Sequence, residues 1–286
     1  DVEHKDMEEY LEAKLKIVEQ AENAVINGDT DVSDQVVAHA KKTCEIIMYG
    51  LSEQCDCRAE NIERATINGV TGSKINLISP WYSGEIFVAL PGDFNVYNAL
   101  CAVAVAGLTG VSFEAVREGL AKVKVPGRLQ MVPNNKNITV LVDYAHNAAS
   151  LKTILETLRH YTDGRLITVF GCGGNRSRTR RTEMGEVSGV YSDLSLITSD
   201  NPRNEEHKAI IEDILEGIKR IEGKYWVESD RTSAITQAIQ EAQAGDIILI
   251  AGKGHETYQI FADRTIHFDD AEVAQDIIQK IEKKRE

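Results

Sequence analysis

Beyond residue 127 the chain alternates short apolar runs with longer runs of helical periodicity, and this rhythm restricts its fold more than any other feature. The strand-like runs are 139–142, 166–170, 194–198, 225–227 and 247–251, and the helical runs are 149–161, 182–190, 208–221, 232–244 and 270–284. Such an alternation indicates an α/β fold with a mostly parallel sheet covered by helices on both faces. Ligands of these sheets lie outside the carboxyl ends of the strands, so the residues that follow the strands are the functional candidates.

The first 126 residues have a less regular pattern. Helical runs at 6–24, 34–42, 95–108 and 112–122 accompany strand-like runs at 24–27, 45–49, 65–70, 74–79 and 85–90. Val125-Pro126-Gly127 separates the two patterns and is the best candidate hinge. Because 286 residues suffice for two domains with separate cores, we place a domain boundary between residues 126 and 127.

Charge and composition exclude several classes of protein. A formal net charge of −13 argues against the phosphate backbone of nucleic acid as a partner. No apolar run approaches the roughly 20 residues of a membrane span, and no secretory leader is recognisable, so we expect a cytoplasmic protein. The five cysteines have neither the number nor the spacing of a disulfide framework or a zinc site.

Glycine-rich or polar groups follow the predicted strands. They are Asp143-Tyr-Ala-His146, Gly171-Cys-Gly-Gly-Asn-Arg176, Asp200-Asn-Pro-Arg203 and Gly252-Lys-Gly-His-Glu256. The second group is neither a dinucleotide fingerprint nor a nucleotide phosphate loop, because Arg176 occupies its sixth position. A basic patch adjoins it, formed by Arg176, Arg178, Arg180 and Arg181. This patch favours recognition of a small anion over a merely tight turn.

The other groups each have a plain and a functional interpretation. Asp200 to Arg203 could be a strand-to-helix turn, or Asn201 and Arg203 could offer donors to a carboxylate. Gly252 to Glu256 could be a sharp turn, or Glu256 could face a ligand ammonium. His146, taken alone, is an ordinary loop histidine.

Together the motifs resemble the Mur ligases, and specifically the UDP-N-acetylmuramoyl-tripeptide synthetases (MurE type). The segments that carry the resemblance, besides the four groups above, are Glu9-Tyr-Leu-Glu-Ala-Lys14, Gly92-Asp-Phe-Asn-Val-Tyr-Asn-Ala-Leu100 and Pro126-Gly-Arg128. The resemblance implies that residues 1–126 are the later part of a central ATP-binding domain and that residues 127–286 are a Rossmann-like amino-acid-binding domain. The family's UDP-sugar domain and phosphate loop are absent and would precede Asp1, so we expect these residues alone not to hydrolyse ATP.

The resemblance also implies roles for individual residues. Lys14 matches a lysine that the family carries as a carbamate, a metal ligand for Mg²⁺ that forms from the neutral amine and is therefore favoured by partial burial. Asn95 and Asn98 resemble asparagines near the adenine of ATP, and Arg128 and Asp143 resemble contacts to its phosphate and ribose. His146, beside them, is a candidate catalytic residue. The implied amino-acid pocket consists of Arg176, Asn201, Arg203, Gly252 and Glu256.

The implied reaction joins a diamino acid to a UDP-N-acetylmuramoyl dipeptide through an acyl phosphate, with ATP and Mg²⁺ as cofactors, in a monomeric enzyme. Arg203 favours meso-diaminopimelate, because it can pair with the second carboxylate of that ligand. Asp143-Tyr-Ala-His-Asn147 and the region of His4 are closer to lysine-adding relatives, so L-lysine stays open. Other open alternatives are a different Mur ligase, a folylpolyglutamate synthetase, and a non-catalytic binding module derived from a ligase.

Overall fold

The computed structural model describes residues 6–40, 44–67 and 70–283. The chain divides into two compact units, Asp1–Lys124 and Val125–Glu286. The predicted boundary after residue 126 lies close to this division, and the assignment of the units to a central and a C-terminal domain stays a prediction. His4 and the predicted element positions 41–42, 68–69 and 284 lie outside the described residues.

In the first unit the described residues form a five-stranded sheet of order β1-β2-β3-β4-β5. Its elements are α1 (Met7–Gln20), β1 (Asn23–Asn27), α2 (Ser33–His39), β2 (Glu45–Gly50), β3 (Cys57–Ile67), β4 (Val70–Ile78), β5 (Ser83–Val88), α3 (Asp93–Leu108) and α4 (Phe113–Lys122). Strands β1 to β3 are parallel, whereas β4 pairs antiparallel with both β3 and β5. The apolar side chains of α3, such as Val96, Leu100 and Val103, pack into the core of this unit.

Strand β3 begins well before the predicted run at 65–70, which covers only the last three residues of β3 and the first residue of β4. A register shift lies between Glu60 and Glu63, and Asn61 has a left-handed backbone with φ 50°. A bulge of this kind changes which face each later side chain points to. The alternation that identifies a strand is therefore interrupted in the middle of β3.

The second unit contains a six-stranded sheet of order β10-β9-β8-β11-β7-β6. Its elements are β6 (Gln130–Val132), β7 (Thr139–Asp143), α5 (Ala148–Arg159), β8 (Leu166–Phe170), α6 (Arg178–Tyr191), β9 (Leu194–Ile197), α7 (His207–Arg220), β10 (Tyr225–Val227), α8 (Arg231–Glu241), β11 (Ile247–Ala251), β12 (Tyr258–Ile260), β13 (Thr265–His267) and α9 (Asp270–Lys283). Only the edge strand β6 is antiparallel to its neighbour. The predicted α/β fold with a mostly parallel sheet is confirmed.

Burial explains why the central strands are continuously apolar. All residues of β11 are buried. Ile248 and Ile250 pack with α8 and α9 on one face of the sheet. The alternate residues Ile247 and Leu249 point to the opposite face, where α5 and α6 contact β8 and β9. Helices on both faces leave no side of the strand in water.

Several elements differ from the sequence predictions. Helix α6 begins at Arg178, earlier than the predicted start at residue 182, because its first turn is polar and gives no apolar periodicity. The hairpin β12–β13 is unpredicted, since its strands are only three residues long. All five cysteines are free thiols, as expected. No helix within the described ranges is long and apolar enough to cross a membrane.

Candidate functional site

Strands β9, β8, β11 and β7 are consecutive and parallel in the sheet. Their carboxyl ends therefore open on one edge, and the glycine-rich and polar groups that follow them meet there. Three of these groups contain predicted site residues. We call this set of residues the edge pocket: Arg176, Asn201, Arg203, Gly252 and Glu256. The predicted convergence of the motifs on one edge is confirmed.

One end of the edge pocket is cationic. The loop after β8 approaches the segment 201–203 so closely that a methyl group on Gly174 would lie 1.8 Å from the Pro202 carbonyl oxygen. Arg203 Nη1 donates to the Gly174 carbonyl oxygen at 2.8 Å. A methyl group on Gly173 would lie 3.1 Å from Arg203 Nη1 and 3.6 Å from Arg176 Cγ, so both arginines flank this glycine. Arg176 is exposed, which leaves its guanidinium accessible to an anion.

Arg203 has a left-handed backbone with φ 53°, a conformation that costs a non-glycine residue roughly 1 kcal/mol. Its backbone N–H donates to the Ile260 carbonyl oxygen at 3.0 Å. The unpredicted hairpin β12–β13 thus holds Arg203 in place. Local sequence gives no sign of this conformation, because it depends on a contact with a strand far along the chain.

The other end of the edge pocket is anionic. Asn201 is buried, and its Nδ2 donates to Glu256 Oε2 at 2.9 Å. Asn201 Oδ1 accepts from Lys253 Nζ at 3.2 Å and from the Ile260 N–H at 3.0 Å. The Asn201 carbonyl oxygen accepts from the Gly174 N–H at 2.9 Å. Asn201 therefore connects the anionic end of the pocket with the arginine-bearing loop.

Lys253 is a site residue that the sequence analysis did not single out. Its side chain is fully buried, 3.5 Å from Glu256 Oε2 and 3.9 Å from Asp200 Oδ1. Burial lowers the pKa of Lys253, while the carboxylate of Asp200 acts in the opposite direction. Burial likewise raises the pKa of Asp200. The glycines on either side of Lys253 indicate close packing of the backbone, but the burial of the lysine side chain follows only from the fold.

A fully buried ion pair joins Arg231 and Asp270 beside the segments that lead into the edge pocket, with Nε–Oδ1 at 2.7 Å. Arg231 also donates to the carbonyl oxygens of Ser199 and Ala251, at 3.3 and 3.0 Å. These carbonyl groups lie at the ends of the segments that lead into Asp200 and Gly252. The pair therefore fixes the spacing of the two segments that carry Asn201 and Glu256.

Gly252 and Asp143 connect the edge pocket with the end of β7. Gly252 has φ 114°, and a methyl group there would lie 2.7 Å from Asp200 Oδ2. Its N–H donates to the Asp143 carbonyl oxygen at 3.1 Å. The buried Asp143 carboxylate accepts from the N–H groups of Leu129 and Ala145, both at 2.8 Å, and burial raises its pKa. Asp143 thus holds the loop that carries Arg128.

An aromatic cluster surrounds Tyr144. The rings of His146 and His255 lie 4.7 and 5.1 Å from the Tyr144 ring, and the Arg128 guanidinium carbon lies 4.9 Å from it. His146 Nδ1 lies 2.9 Å from the Tyr144 carbonyl oxygen. Since a carbonyl oxygen only accepts, Nδ1 is the protonated nitrogen and Nε2 is the proton acceptor of the neutral ring. The structure brings Arg128, Asp143 and His146 together in the second unit.

One arginine of the predicted basic patch, Arg181, is buried and unavailable to an anion, which corrects the sequence interpretation at that residue. Arg178 donates to Asp213 with an Nη2–Oδ1 distance of 2.6 Å, and the buried Arg181 pairs with Glu205 at 2.8 Å and Asp213 at 3.0 Å. Both arginines join α6 to the segment 205–213, but only Arg181 is buried; the Arg178 side chain stays 76% exposed. Asp213 lies more than 30 positions after both Arg178 and Arg181 in the chain, so the local sequence gives no indication of the pairing.

The remaining predicted residues lie in the first unit. Asn95 is buried at the start of α3, and Nδ2 of Asn98 donates to Asn95 Oδ1 at 3.2 Å. Lys14 is exposed on α1, with Nζ 5.4 Å from the Tyr10 ring centroid. The partial burial that would favour its carbamate is absent in the described part of the chain. The described ranges also contain no group of three or more His, Cys, Asp or Glu residues able to hold a metal ion.

The second unit is thus a Rossmann-like domain in which the edge formed by the carboxyl ends of the strands has a cationic end and an anionic end. The Mur ligase middle-domain family matches residues 1–106, and the family described as "Mur ligase, glutamate ligase domain" matches residues 127–254. The chain belongs to the Mur ligase family.

Its relatives include a UDP-N-acetylmuramoyl-L-alanyl-D-glutamate–2,6-diaminopimelate ligase of Clostridium botulinum, 42% identical over 97% of this chain and 56% of the relative. The protein of the same name from Clostridioides difficile is 41% identical over 97% of this chain and 57% of its own length. A solved structure of a ligase with this name matches with a TM-score of 0.63 and 31% identity, covering 99% of this chain and 58% of that one. The chain therefore spans about half the length of the curated relatives it matches.

Proposed function

We propose that this chain carries the amino-acid-binding part of an ATP-dependent amide ligase. The proposed reaction adds meso-diaminopimelate to UDP-N-acetylmuramoyl-L-alanyl-D-glutamate during peptidoglycan synthesis. The observation that carries the proposal is the two-ended edge pocket. Arg176 and Arg203 form an end suited to a carboxylate, and Glu256 forms an end suited to an ammonium group. A diamino diacid has both groups to offer, and the names of the similar ligases agree with this ligand.

The chemistry requires a carboxylate to be activated and an amine to attack it. ATP supplies the phosphoryl group that converts the glutamate carboxylate into an acyl phosphate. The amine nitrogen then bonds to the acyl carbon, phosphate leaves with the bonding electrons, and the nitrogen loses a proton. The edge pocket holds the far end of the diamino acid, so that the reacting amine is presented in one orientation.

We assign His146 to the proton transfer of the second step. Its Nδ1 is fixed on the Tyr144 carbonyl oxygen, and its Nε2 is then the acceptor for a proton from the attacking amine. The ring is exposed and lies in the same unit as the edge pocket.

For ATP we keep the assignments that the family resemblance implies. Asn95 and Asn98 would contact the adenine, Arg128 a phosphate, and Asp143 the ribose. Asp143 retains acceptor capacity for a ribose hydroxyl, because a carboxylate has about four lone-pair sites and this one accepts from the backbone N–H groups of Leu129, Ala145 and Tyr144. For Mg²⁺, Lys14 would serve as a ligand only as a carbamate, and its exposure does not favour that modification.

Calorimetric titration of this chain with meso-diaminopimelate and, separately, with L-lysine tests the proposal. We expect tighter binding of meso-diaminopimelate, because L-lysine has no second carboxylate for Arg203. Tighter binding of L-lysine would replace the proposal with the lysine-adding homologue, which the sequence Asp143-Tyr-Ala-His-Asn147 favours. Binding of neither amino acid would refute a diamino-acid pocket altogether.

A further inference from the structure

We propose that Lys253 is a positioning residue of the edge pocket, which helps to fix the side-chain amide of Asn201 and strengthens the preference that Arg203 gives the pocket for a ligand with a second carboxylate. This inference rests on the proposed function. It adds a residue that contacts no ligand itself but determines how Asn201 and Glu256 are presented.

The contacts of Lys253 define its role. Its side chain has 0% exposure, and no other lysine in the described ranges is buried. Nζ lies 3.2 Å from Asn201 Oδ1 and 3.5 Å from Glu256 Oε2. The flanking residues Gly252 and Gly254 both have positive φ, at 114° and 54°, so the backbone turns sharply on either side and directs the lysine inward.

Lys253 and the Ile260 N–H together decide which way the Asn201 amide faces. An ammonium group and a backbone N–H can only donate, and both Lys253 and Ile260 direct their donors at the same atom of Asn201. That atom must be the oxygen. The amide nitrogen is then forced toward Glu256 Oε2, 2.9 Å away. A flipped amide would oppose two donors with a third and leave an oxygen facing a carboxylate.

The fixed amide determines what Glu256 can offer a ligand. Oε2 already receives Asn201 and Lys253, whereas Oε1 accepts no hydrogen bond from any residue in the described ranges. Oε1 is therefore the position for the ligand ammonium. Without Lys253, Asn201 Oδ1 would keep only the Ile260 N–H as a donor, so its amide would be held less firmly. Glu256 Oε2 would lose the ammonium group 3.5 Å away.

Charge gives the same direction of selectivity. Lys253 offsets one of the neighbouring carboxylates of Asp200 and Glu256. At neutral pH meso-diaminopimelate has no net charge, while L-lysine is a monocation. Removal of a positive charge from the pocket therefore favours L-lysine over meso-diaminopimelate, through attraction of the cation and weaker binding of the second carboxylate.

Two variants separate positioning from a general loss of structure. Lys253→Met removes both the charge and the donor, whereas Lys253→Gln keeps a neutral donor for Asn201. Calorimetry measures the ratio of the dissociation constants of L-lysine and meso-diaminopimelate. We expect this ratio to fall roughly tenfold in Lys253→Met and to be partly restored in Lys253→Gln. An unchanged ratio in Lys253→Met, or an equal fall in both variants, would overturn the proposal.

A measurement on the unmodified chain covers the case in which Lys253→Met does not fold. With ¹⁵N-lysine labelling, the buried ammonium is expected to give a slowly exchanging Nζ signal that shifts when meso-diaminopimelate binds. A Nζ signal that does not change at saturation excludes a positioning role. If the unmodified chain binds neither amino acid, the proposed function itself fails. If it binds meso-diaminopimelate and the variants keep its selectivity, only the inference about Lys253 fails.

Discussion

Arg203 combines a structural contact with a proposed ligand-binding contact on one side chain. Nη1 holds the Gly174 carbonyl oxygen, and the rest of the guanidinium is available to a carboxylate. We predict that Arg203→Ala weakens meso-diaminopimelate binding by about 2–4 kcal/mol, the usual cost of removing one partner from a desolvated charge pair. L-lysine binding should change much less, and calorimetry on both ligands measures the difference.

A matched control for Arg203→Ala is Arg220→Ala. Arg220 is an exposed arginine at the far end of α7, paired with Glu186 and Glu216. This change removes the same charge from the opposite edge of the sheet, so neither ligand should bind differently. An equal loss of both ligands in Arg203→Ala would mean that the residue supports the loop and does not recognise the second carboxylate.

At the scale of elements, Asp213 joins α6 to α7 through Arg178 and Arg181. The Arg178 hydrogen bond holds the pKa of Asp213 below its ordinary value of 3.8. A depressed pKa in the folded state contributes stability that is fully present above the unfolded-state pKa. This stability is lost as the pH falls through the folded-state pKa. We predict that Asp213→Asn lowers the free energy of unfolding by about 1–3 kcal/mol near neutral pH.

Urea unfolding over a pH series checks this prediction. The difference between Asp213→Asn and the unmodified chain should shrink as the pH falls from 3.8 through the lower pKa of the folded state, because the unfolded carboxylate then binds a proton before the native one does. A difference that is the same at every pH would show that packing, and not the charge of Asp213, links the two helices.

Two helical glycines of the first unit form a matched pair for testing packing. A methyl group on Gly119 in α4 meets nothing within 4 Å, while one on Gly107 in α3 would lie 2.2 Å from Trp81 Cε3. We predict that Gly119→Ala stabilises the unit by about 0.5–1 kcal/mol, and that Gly107→Ala destabilises it by about 1–3 kcal/mol. Urea unfolding followed by circular dichroism distinguishes the two, and effects of the same sign would contradict the described packing.

At the scale of the whole molecule, every residue of the edge pocket and every hydrogen bond described for it belongs to Val125–Glu286. We predict that residues 125–286 expressed alone fold and bind meso-diaminopimelate with the affinity of the full chain, whereas residues 1–124 do not bind it. Circular dichroism and calorimetry on the two halves provide the measurement. Loss of binding by a folded 125–286 fragment would mean that the first unit contributes to the pocket.

The sequence predicts the second unit better than the first, and the reason is physical. Strands β8 and β11 are recovered at their full lengths because buried parallel strands are apolar runs that end at turn residues. Since parallel strands share one carboxyl edge, the sequence also predicts that the groups at 171–176, 200–203 and 252–256 meet. The irregular β3 and the short hairpin β12–β13 have no such signal.

The details of the site depend on contacts between distant residues, which a linear pattern does not contain. Arg231 and Asp270 are 39 positions apart, and Arg181 meets Glu205 across 24. The burial of Lys253 and the left-handed backbone of Arg203 likewise require the neighbouring strands to be in place. Residue types and their order therefore predict which segments form the site, while tertiary packing decides which side chains remain available to a ligand.

The position of Asn201 has a further consequence for the chemical durability of the pocket. Asparagine side chains most often deamidate when the backbone nitrogen of the next residue attacks the amide carbon. Asn201 is followed by Pro202, whose nitrogen bears no hydrogen, so this route is closed at the one amide whose orientation the pocket depends on. Asn27, followed by Gly28, has no such protection, so during prolonged storage the protein should lose amide groups elsewhere before the edge pocket is altered.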